Sequence, residues 1–442
     1  MLNYFALSPV GLFWPLAVFC SYSVYLSTTL LFPVVGKPVA GVLLLLGVVG
    51  YLAFKCKHSN RFALQKTELF LVISFCLFSI VSIISFFYWP HTRIAQMHLE
   101  DYGTFILLVP LYLLLREIKF DLRYLIVMLA LAACLLGVTS IVQYISMSHF
   151  GHQIRLTDNT WSHMWLRPSG GVNPMRYGAL SLVLSVVALN GLIWIKHNPK
   201  WLKVLLSTSV VMGLVACYLA DSRSSFVAIP VLAALYGIYL YRTGNPKLLL
   251  GLVVIAFLLL VGLSQNKRMQ NIMHSVEQYQ AGNAVTSLGA RFDMFTAAVI
   301  LIKDQPVWGY GLGSYLAQGK VVRRAHPHLH RDVGMWSNPH NEILLVMVEK
   351  GVIGLITLIL LFAAPAYLFI RALRKDDEVI RYYALGGLSL LVVYAVVGQS
   401  VALFQHDVFN HFFVLMIILF TSQIRSHEHY LSLENGSNEV PG

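Results

Sequence analysis

Apolar runs of about 20 residues recur along nearly the whole chain, most of them separated by links of only a few residues. Each run matches the hydrocarbon core of a bilayer, roughly 30 Å thick. In lipid a backbone must satisfy its own polar groups, so runs of this length fold as helices. Charged residues make up only 12% of the chain, about half the share of a soluble domain. The expected fold is therefore an all-α polytopic membrane protein. Twelve spans are expected, near 9–32, 38–54, 68–89, 102–115, 122–147, 173–195, 201–220, 224–241, 247–264, 341–370, 381–401 and 408–424. The first apolar segment lacks a basic n-region and a small-residue cleavage site, so it reads as a retained span and not as a signal peptide.

This divides the chain into nine spans over 1–264, a long loop at 265–340, three spans over 341–424 and a polar tail at 425–442, expected to be disordered. The links 55–67, 116–121, 196–200, 242–247 and 371–381 are rich in Lys and Arg, as in Lys55, Lys57, Arg61 and Lys66 or Arg371, Arg374, Lys375 and Arg381. The positive-inside rule puts these links, both termini and the tail in the cytoplasm, and the long loop outside. The eight Lys and Arg of that loop do not oppose this, because long loops cross largely regardless of charge. The net charge of +12 is largely explained by the topogenic residues. Nucleic acid is not an expected partner of an outward-facing surface.

The five cysteines are Cys20, Cys56, Cys76, Cys134 and Cys217, none of them in the long loop. No disulfide framework, zinc spacing, P-loop or GxGxxG is present, so no metal, cofactor or bound nucleotide is expected.

The polar residues of the outer face carry the chemical interest. Trp336-Ser337-Asn338-Pro339-His340-Asn341-Glu342 ends the long loop and opens a span. Pro339 biases Asn338 toward extended backbone, and a carboxylate in the first turn suits a helix start. A capped helix start with a chance His is one reading; a general base is the other. Asp221-Ser222-Arg223-Ser224-Ser225 joins two spans almost without a linker. It is either a structural Asp221–Arg223 pair or an anion site at a helix N-terminus.

Residues 287–302 have helical periodicity with Arg291 on the apolar stripe, either snorkelling to headgroups or aimed at a site. Gly309-Tyr310-Gly311-Leu312-Gly313 implies a tight turn with close backbone approach and only weakly a phosphate loop. Arg167 closes a second outer loop beside Gly170 and Gly171. Alternating His326, His328 and His330 more readily form part of a basic loop facing phosphorylated lipid than a metal site. Glu349 and Lys350 lie inside a span, where charges are paired or functional; for Glu349, neutralisation by Lys350 or an Arg is expected. Gln405, His406, Asp407, Asn410 and His411 mark another outer turn that could line the same cavity.

Between about residues 150 and 420 the chain resembles the bacterial O-antigen ligase family, within the O-antigen ligase/polymerase superfamily. The landmarks are Gly171-Val172-Asn173-Pro174, Asp221-Ser222-Arg223, Arg291-Phe292 followed by Pro306-Val307-Trp308-Gly309-Tyr310-Gly311-Leu312-Gly313, and Pro339-His340-Asn341-Glu342 followed by Glu349-Lys350-Gly351-Val352-Ile353-Gly354. The family often has a second Asn soon after Asn-Pro, where this chain has Met175-Arg176.

The resemblance implies a metal-independent, inverting membrane glycosyltransferase of the lipid-donor (GT-C-like) type. It implies a donor glycan on undecaprenyl diphosphate, a lipid A–core acceptor, and an active site on the periplasmic face of the bacterial inner membrane. His340, Arg223 and Arg291 match the family's essential positions: His340 as general base or diphosphate ligand, the arginines as diphosphate holders. Arg167, Asn338, Asn341, Glu342 and Ser222 are the expected substrate-binding residues. O-antigen polymerase and protein O-oligosaccharyltransferase share this chemistry. A lipid or solute transporter is the alternative from another class, although transporter sites usually lie at the midplane, where this chain carries few ionisable residues.

Overall fold

The computed structural model describes residues 17, 20–22, 33–57, 64–89, 92–107, 109–150, 167–169, 172–251, 253–254, 261, 267–281 and 286–437. Regular structure among them is entirely helical: α1 Pro33–Lys57, α2 Lys66–Phe86, α3 Arg93–Leu107, α4 Val109–Leu115, α5 Leu122–Phe150, α6 Pro174–Trp194, α7 Lys200–Leu219, α8 Arg223–Arg242, α9 Lys267–Gln280, α10 Ser287–Asp304, α11 Tyr315–Ala325, α12 Glu342–Ala372, α13 Glu378–Val397 and α14 Asp407–Ser437. Nine helices among the described residues are long and apolar enough to cross a membrane. Most of the expected spans 9–32 and 247–264, and the stretch 151–166, lie outside the described residues.

The bundle is built on close helix contacts at small residues. A Cβ on Gly213 of α7 would fall 2.8 Å from the Ser185 side chain of α6, and one on Gly137 of α5 would fall 2.4 Å from Met212 of α7. Such approaches let helices associate where lipid supplies no hydrophobic drive. Helix α14 is almost wholly enclosed. Its Phe413 packs with Phe404, Tyr394 and Phe362, and Phe404 reaches Phe78 and Phe105 on α2 and α3.

Two boundaries differ from expectation. The span expected at 102–115 is preceded by further helix from Arg93. His98, Glu100 and Asp101 lower the hydropathy there, but His98 and Asp101 are buried inside the protein, at 4% exposure each. The tail expected to be disordered from 425 instead continues α14 to Ser437. Ion pairs hold it: Arg425 to Glu68 at 3.4 Å, Lys375 to Glu428 at 2.9 Å, and His427 to Asp377 at 3.2 Å. With Arg116–Glu68 at 3.2 Å and Lys196–Glu378 at 3.6 Å, these pairs gather basic links from across the sequence at one end of the bundle.

The feature that positions the site is a break in α12. Gly351 leaves helical geometry (φ 61°, ψ −159°). A break frees carbonyls before it and N–H groups after it, and buried backbone groups must find partners. The glycine segment supplies them. Tyr310 N donates to Val348 O at 2.8 Å, Gly311 N to Glu349 O at 2.9 Å, and Val352 N to Pro306 O at 2.8 Å. Helix α2 joins in, with Ser85 Oγ donating to Glu349 O at 2.9 Å and Ser85 O accepting from Leu312 N at 3.2 Å. The glycines thus make a tight, close approach as expected, but to backbone and not to phosphate.

Glu349 corrects another expectation. Its Oε1 accepts from Gly313 N at 3.0 Å and lies 3.5 Å from His98 Nδ1. Lys350 points elsewhere: its Nζ donates to Ser82 Oγ at 3.1 Å and sits 3.7 Å from the centre of the Tyr102 ring. Successive residues on a helix do not face each other, so the Glu349 carboxylate faces Gly313 N and α3 while the Lys350 ammonium faces α2 and the Tyr102 ring.

A Cβ on Gly351 would fall 2.1 Å from Val307 O, at φ +61°. Left-handed backbone alone costs an L residue about 1–2 kcal/mol. Gly351→Ala is therefore expected to lower stability by about 2 kcal/mol or more, read as a drop in melting temperature of the detergent-purified protein. Gly41→Ala, where nothing lies within 4 Å of the added carbon, should leave it unchanged.

Candidate active site

His340 stands two residues before α12, not in its first turn. It has left-handed backbone (φ 56°), which is uncommon for a side-chain-bearing residue and clusters at functional sites. The local sequence holds it there. Asn338 Oδ1 accepts from His340 N at 3.0 Å, an Asx turn. Asn341 caps α12 by accepting from Leu344 N at 3.0 Å. The Trp336 ring lies 5.7 Å from the imidazole, centre to centre.

The helix start is then bolted to the turn that leads into α14. Glu342 N donates to Gly398 O at 2.8 Å, Asn341 Nδ2 to Gln399 O at 3.3 Å, and Leu403 N to Glu342 Oε2 at 2.6 Å. Asn338, Asn341 and Glu342 thus spend polar atoms on the scaffold around His340.

Arg291 lies one turn into α10, which Thr286 caps by accepting from Gly289 N at 3.0 Å. Asp293 fixes the helix in place. Its two oxygens accept from Tyr279 Oη at 2.9 Å and from His330 N at 2.7 Å. Arg291 turns inward: Nη2 donates to Met175 Sδ, on the first turn of α6, at 3.6 Å.

Arg223 is the first residue of α8. Ser222 makes no capping bond; its hydroxyl accepts from Ser225 Oγ at 3.0 Å and pairs with Ser224 Oγ at 3.2 Å. Arg167 donates to Asp221 O at 2.8 Å, where its charge compensates the C-terminal end of α7. That contact steadies the turn carrying Arg223.

The charges converge. Burial first, and then the Arg223 charge, lower the Arg291 pKa from 12.5. Burial, Arg291 and Arg176 push the His340 pKa from 6.5 down to about 4, with Asp332 offsetting part of this. His406 is pushed well below 6.5 by burial, Arg176, His98 and His340. His340, Arg291 and Arg223, from three separate segments, thus form one electrostatic cluster, and His406 on the last turn joins them.

The residue that the sequence reading passed over is Arg176. It was noted only as a departure from Asn, although an Arg in the first turn of an outer-facing apolar span runs against the topogenic trend and was a usable signal. His326 and His328 pack edge to face, 5.8 Å between ring centres, while His330 Nδ1 lies 3.6 Å from Asp332. Among the described residues no three His, Cys, Asp or Glu side chains converge as metal ligands. Three guanidiniums beside neutral imidazoles suit a polyanionic group, because planar guanidiniums bind phosphate oxygens bidentately.

Fold and site define a polytopic helical membrane protein with a cationic site where its long loop meets the bundle. Residues 208–359, which include Arg223, Arg291 and His340, match the family model described as O-antigen ligase. The chain is 26% identical over 241 residues to an O-antigen ligase of Escherichia coli strain K12, covering 52% of this chain and 56% of that protein. It is also 26% identical over 224 residues to a Haemophilus influenzae protein named only as uncharacterized, covering 48% and 55%. The matched region thus spans about half the length of these curated relatives. The family model and the ligase relative thus make the chain similar to the O-antigen ligase superfamily over this region.

Since Arg291 holds the His340 pKa down, Arg291→Gln should raise it above about 4. A histidine-resolved NMR titration in detergent would read this, and an unshifted ring would mean that the guanidinium does not face it.

Proposed function

We propose that this protein is an O-antigen ligase that moves a glycan from undecaprenyl diphosphate to lipid A–core during lipopolysaccharide synthesis, on the periplasmic face of the inner membrane. The observation that carries this reading is the electrostatic convergence of Arg223, Arg291 and His340 from three segments. The acceptor hydroxyl attacks the anomeric carbon, and the bond from that carbon to the diphosphate oxygen breaks. Negative charge grows on the leaving diphosphate, and preorganised guanidiniums stabilise it where water is scarce. Arg223 and Arg291 have this role. His340 takes the hydroxyl proton, and a single displacement inverts the anomeric configuration. Lys320, Arg324 and Arg331 are exposed on the loop, where they suit a phosphorylated acceptor lipid.

The low His340 pKa bears on the base assignment. The free protein keeps the ring neutral at pH 7, and protonation takes hold only as pH falls toward about 4. A base of that strength is weak. A bound diphosphate changes this, because its negative charge offsets Arg291 and Arg176, the two cations that lower the pKa. Donor binding thus strengthens the base.

Two outcomes follow. Purified wild type, given undecaprenyl diphosphate–glycan and lipid A–core, should yield glycan-extended lipopolysaccharide, and His340→Ala should lose at least about 100-fold in rate, the low end for a general base. Longer undecaprenyl-linked glycan in its place would make the protein a polymerase, and consumption of neither substrate would favour a transporter. The acid limb of kcat/KM, which reports the free enzyme, should lie near pH 4, and that of kcat at higher pH. Coincident limbs would sink the coupling between donor and base.

A further inference from the structure

We propose that Arg176 is a third donor-binding residue, holding a phosphate oxygen of the lipid diphosphate between His340 and the turn that opens α14. The proposal rests on the ligase reading and deepens it. Arg176 is the third residue of α6, whose start is fixed by Pro174 and by Asn173 Oδ1 accepting from Met175 N at 2.9 Å. Arg291 reaches the adjacent Met175, and the charges of Arg291 and Arg176 both act on His340. Arg223 extends the series through Arg291.

Three observations point to a ligand. The Nε of Arg176 is sealed from solvent and has no hydrogen-bond partner among the described residues. The residue as a whole is half-buried and so reachable. Asp407 and Asp101 act on it electrostatically, yet neither forms an ion pair with it among the described residues. A buried donor left unsatisfied costs about 1–3 kcal/mol, more when charged. An apolar residue at this place would avoid that cost, as most of α6 does. The charges of Asp407 and Asp101 leave this N–H without a partner, and an arriving anion supplies one.

The anion is best a diphosphate. Three guanidiniums from α6, α8 and α10 match a group with several negative oxygens spread over two phosphorus centres, whereas a monophosphate leaves one of them unmatched. Arg167, by contrast, gives an Nη1 N–H to the Asp221 carbonyl. A positioning role, with Arg176 holding Asp407 at the start of α14, is the competing explanation, and the two differ in the stability of the ligand-free protein. Where a residue serves binding at the expense of the fold, removing it leaves stability unchanged or raises it.

The experiment compares wild type, Arg176→Gln and Arg176→Lys in detergent, by melting temperature and by binding of glycan-free undecaprenyl diphosphate and undecaprenyl monophosphate. For Arg176→Gln the expected results are an unchanged or higher ligand-free melting temperature, diphosphate binding weaker by tenfold or more, and a smaller loss for monophosphate. Arg176→Lys keeps the charge facing Asp407 but loses the planar fork, so it should melt like wild type and bind diphosphate less tightly. Binding by Arg176→Lys as tight as wild type, or a ligand-free melting temperature that falls in Arg176→Gln with binding intact, would overturn the proposal. Failure of wild type to bind diphosphate would instead remove the donor reading on which the proposal rests.

Discussion

The break at Gly351 and the glycine segment that fills it support much of what surrounds the site. A span that loses helical geometry leaves carbonyls and N–H groups without partners in a medium that offers none. Pro306, Tyr310 and Gly311 satisfy three of them through main-chain bonds, and Gly313 N binds the Glu349 carboxylate. The long loop is thereby stitched into the bundle and does not merely lie on it. Helix α10 ends at Asp304, just before this seam, and α12 starts nine residues ahead of Gly351. Arg291 and His340 are carried by the two elements that the seam joins.

The site is electrostatically tense before any ligand arrives. Arg291 lies near Arg223, and His340 feels Arg291 and Arg176. Like charges gathered in a partly desolvated place favour binding of an anion over stability of the empty fold. Neutral rings at His340 and His406 follow from burial first and from the same field second. Around them the polar residues are used internally: Asn338 on His340, Asn341 and Glu342 on the turn before α14, and Arg167 on the turn before α8.

Much of this was legible in the chain. Apolar runs located most of the described spans within a few residues, because hydropathy is a local property. Arg223, Arg291 and His340 were singled out through motifs at helix starts and through the family resemblance. The misses have physical causes. The helix from Arg93 to Asp101 was overlooked because His98 and Asp101, which lower its hydropathy, are buried by neighbours distant in sequence. The tail to Ser437 was taken as disordered because its ion-pair partners Glu68, Lys375 and Asp377 lie elsewhere in the chain. Glu349 was matched to Lys350 because they are adjacent in sequence, although they point apart in the helix.

By itself, then, the sequence determined that this is a helical membrane protein, roughly where most of its described spans fall, and which Arg and His residues stand near their boundaries. Those are consequences of hydropathy, propensity and chemistry within one segment. The tertiary structure decided which of these residues meet, that Arg176 stands among them, and that the three glycines serve a helix break and not a phosphate. Those outcomes depend on what packs against each group, because burial, partners and neighbouring charge come from segments hundreds of residues apart.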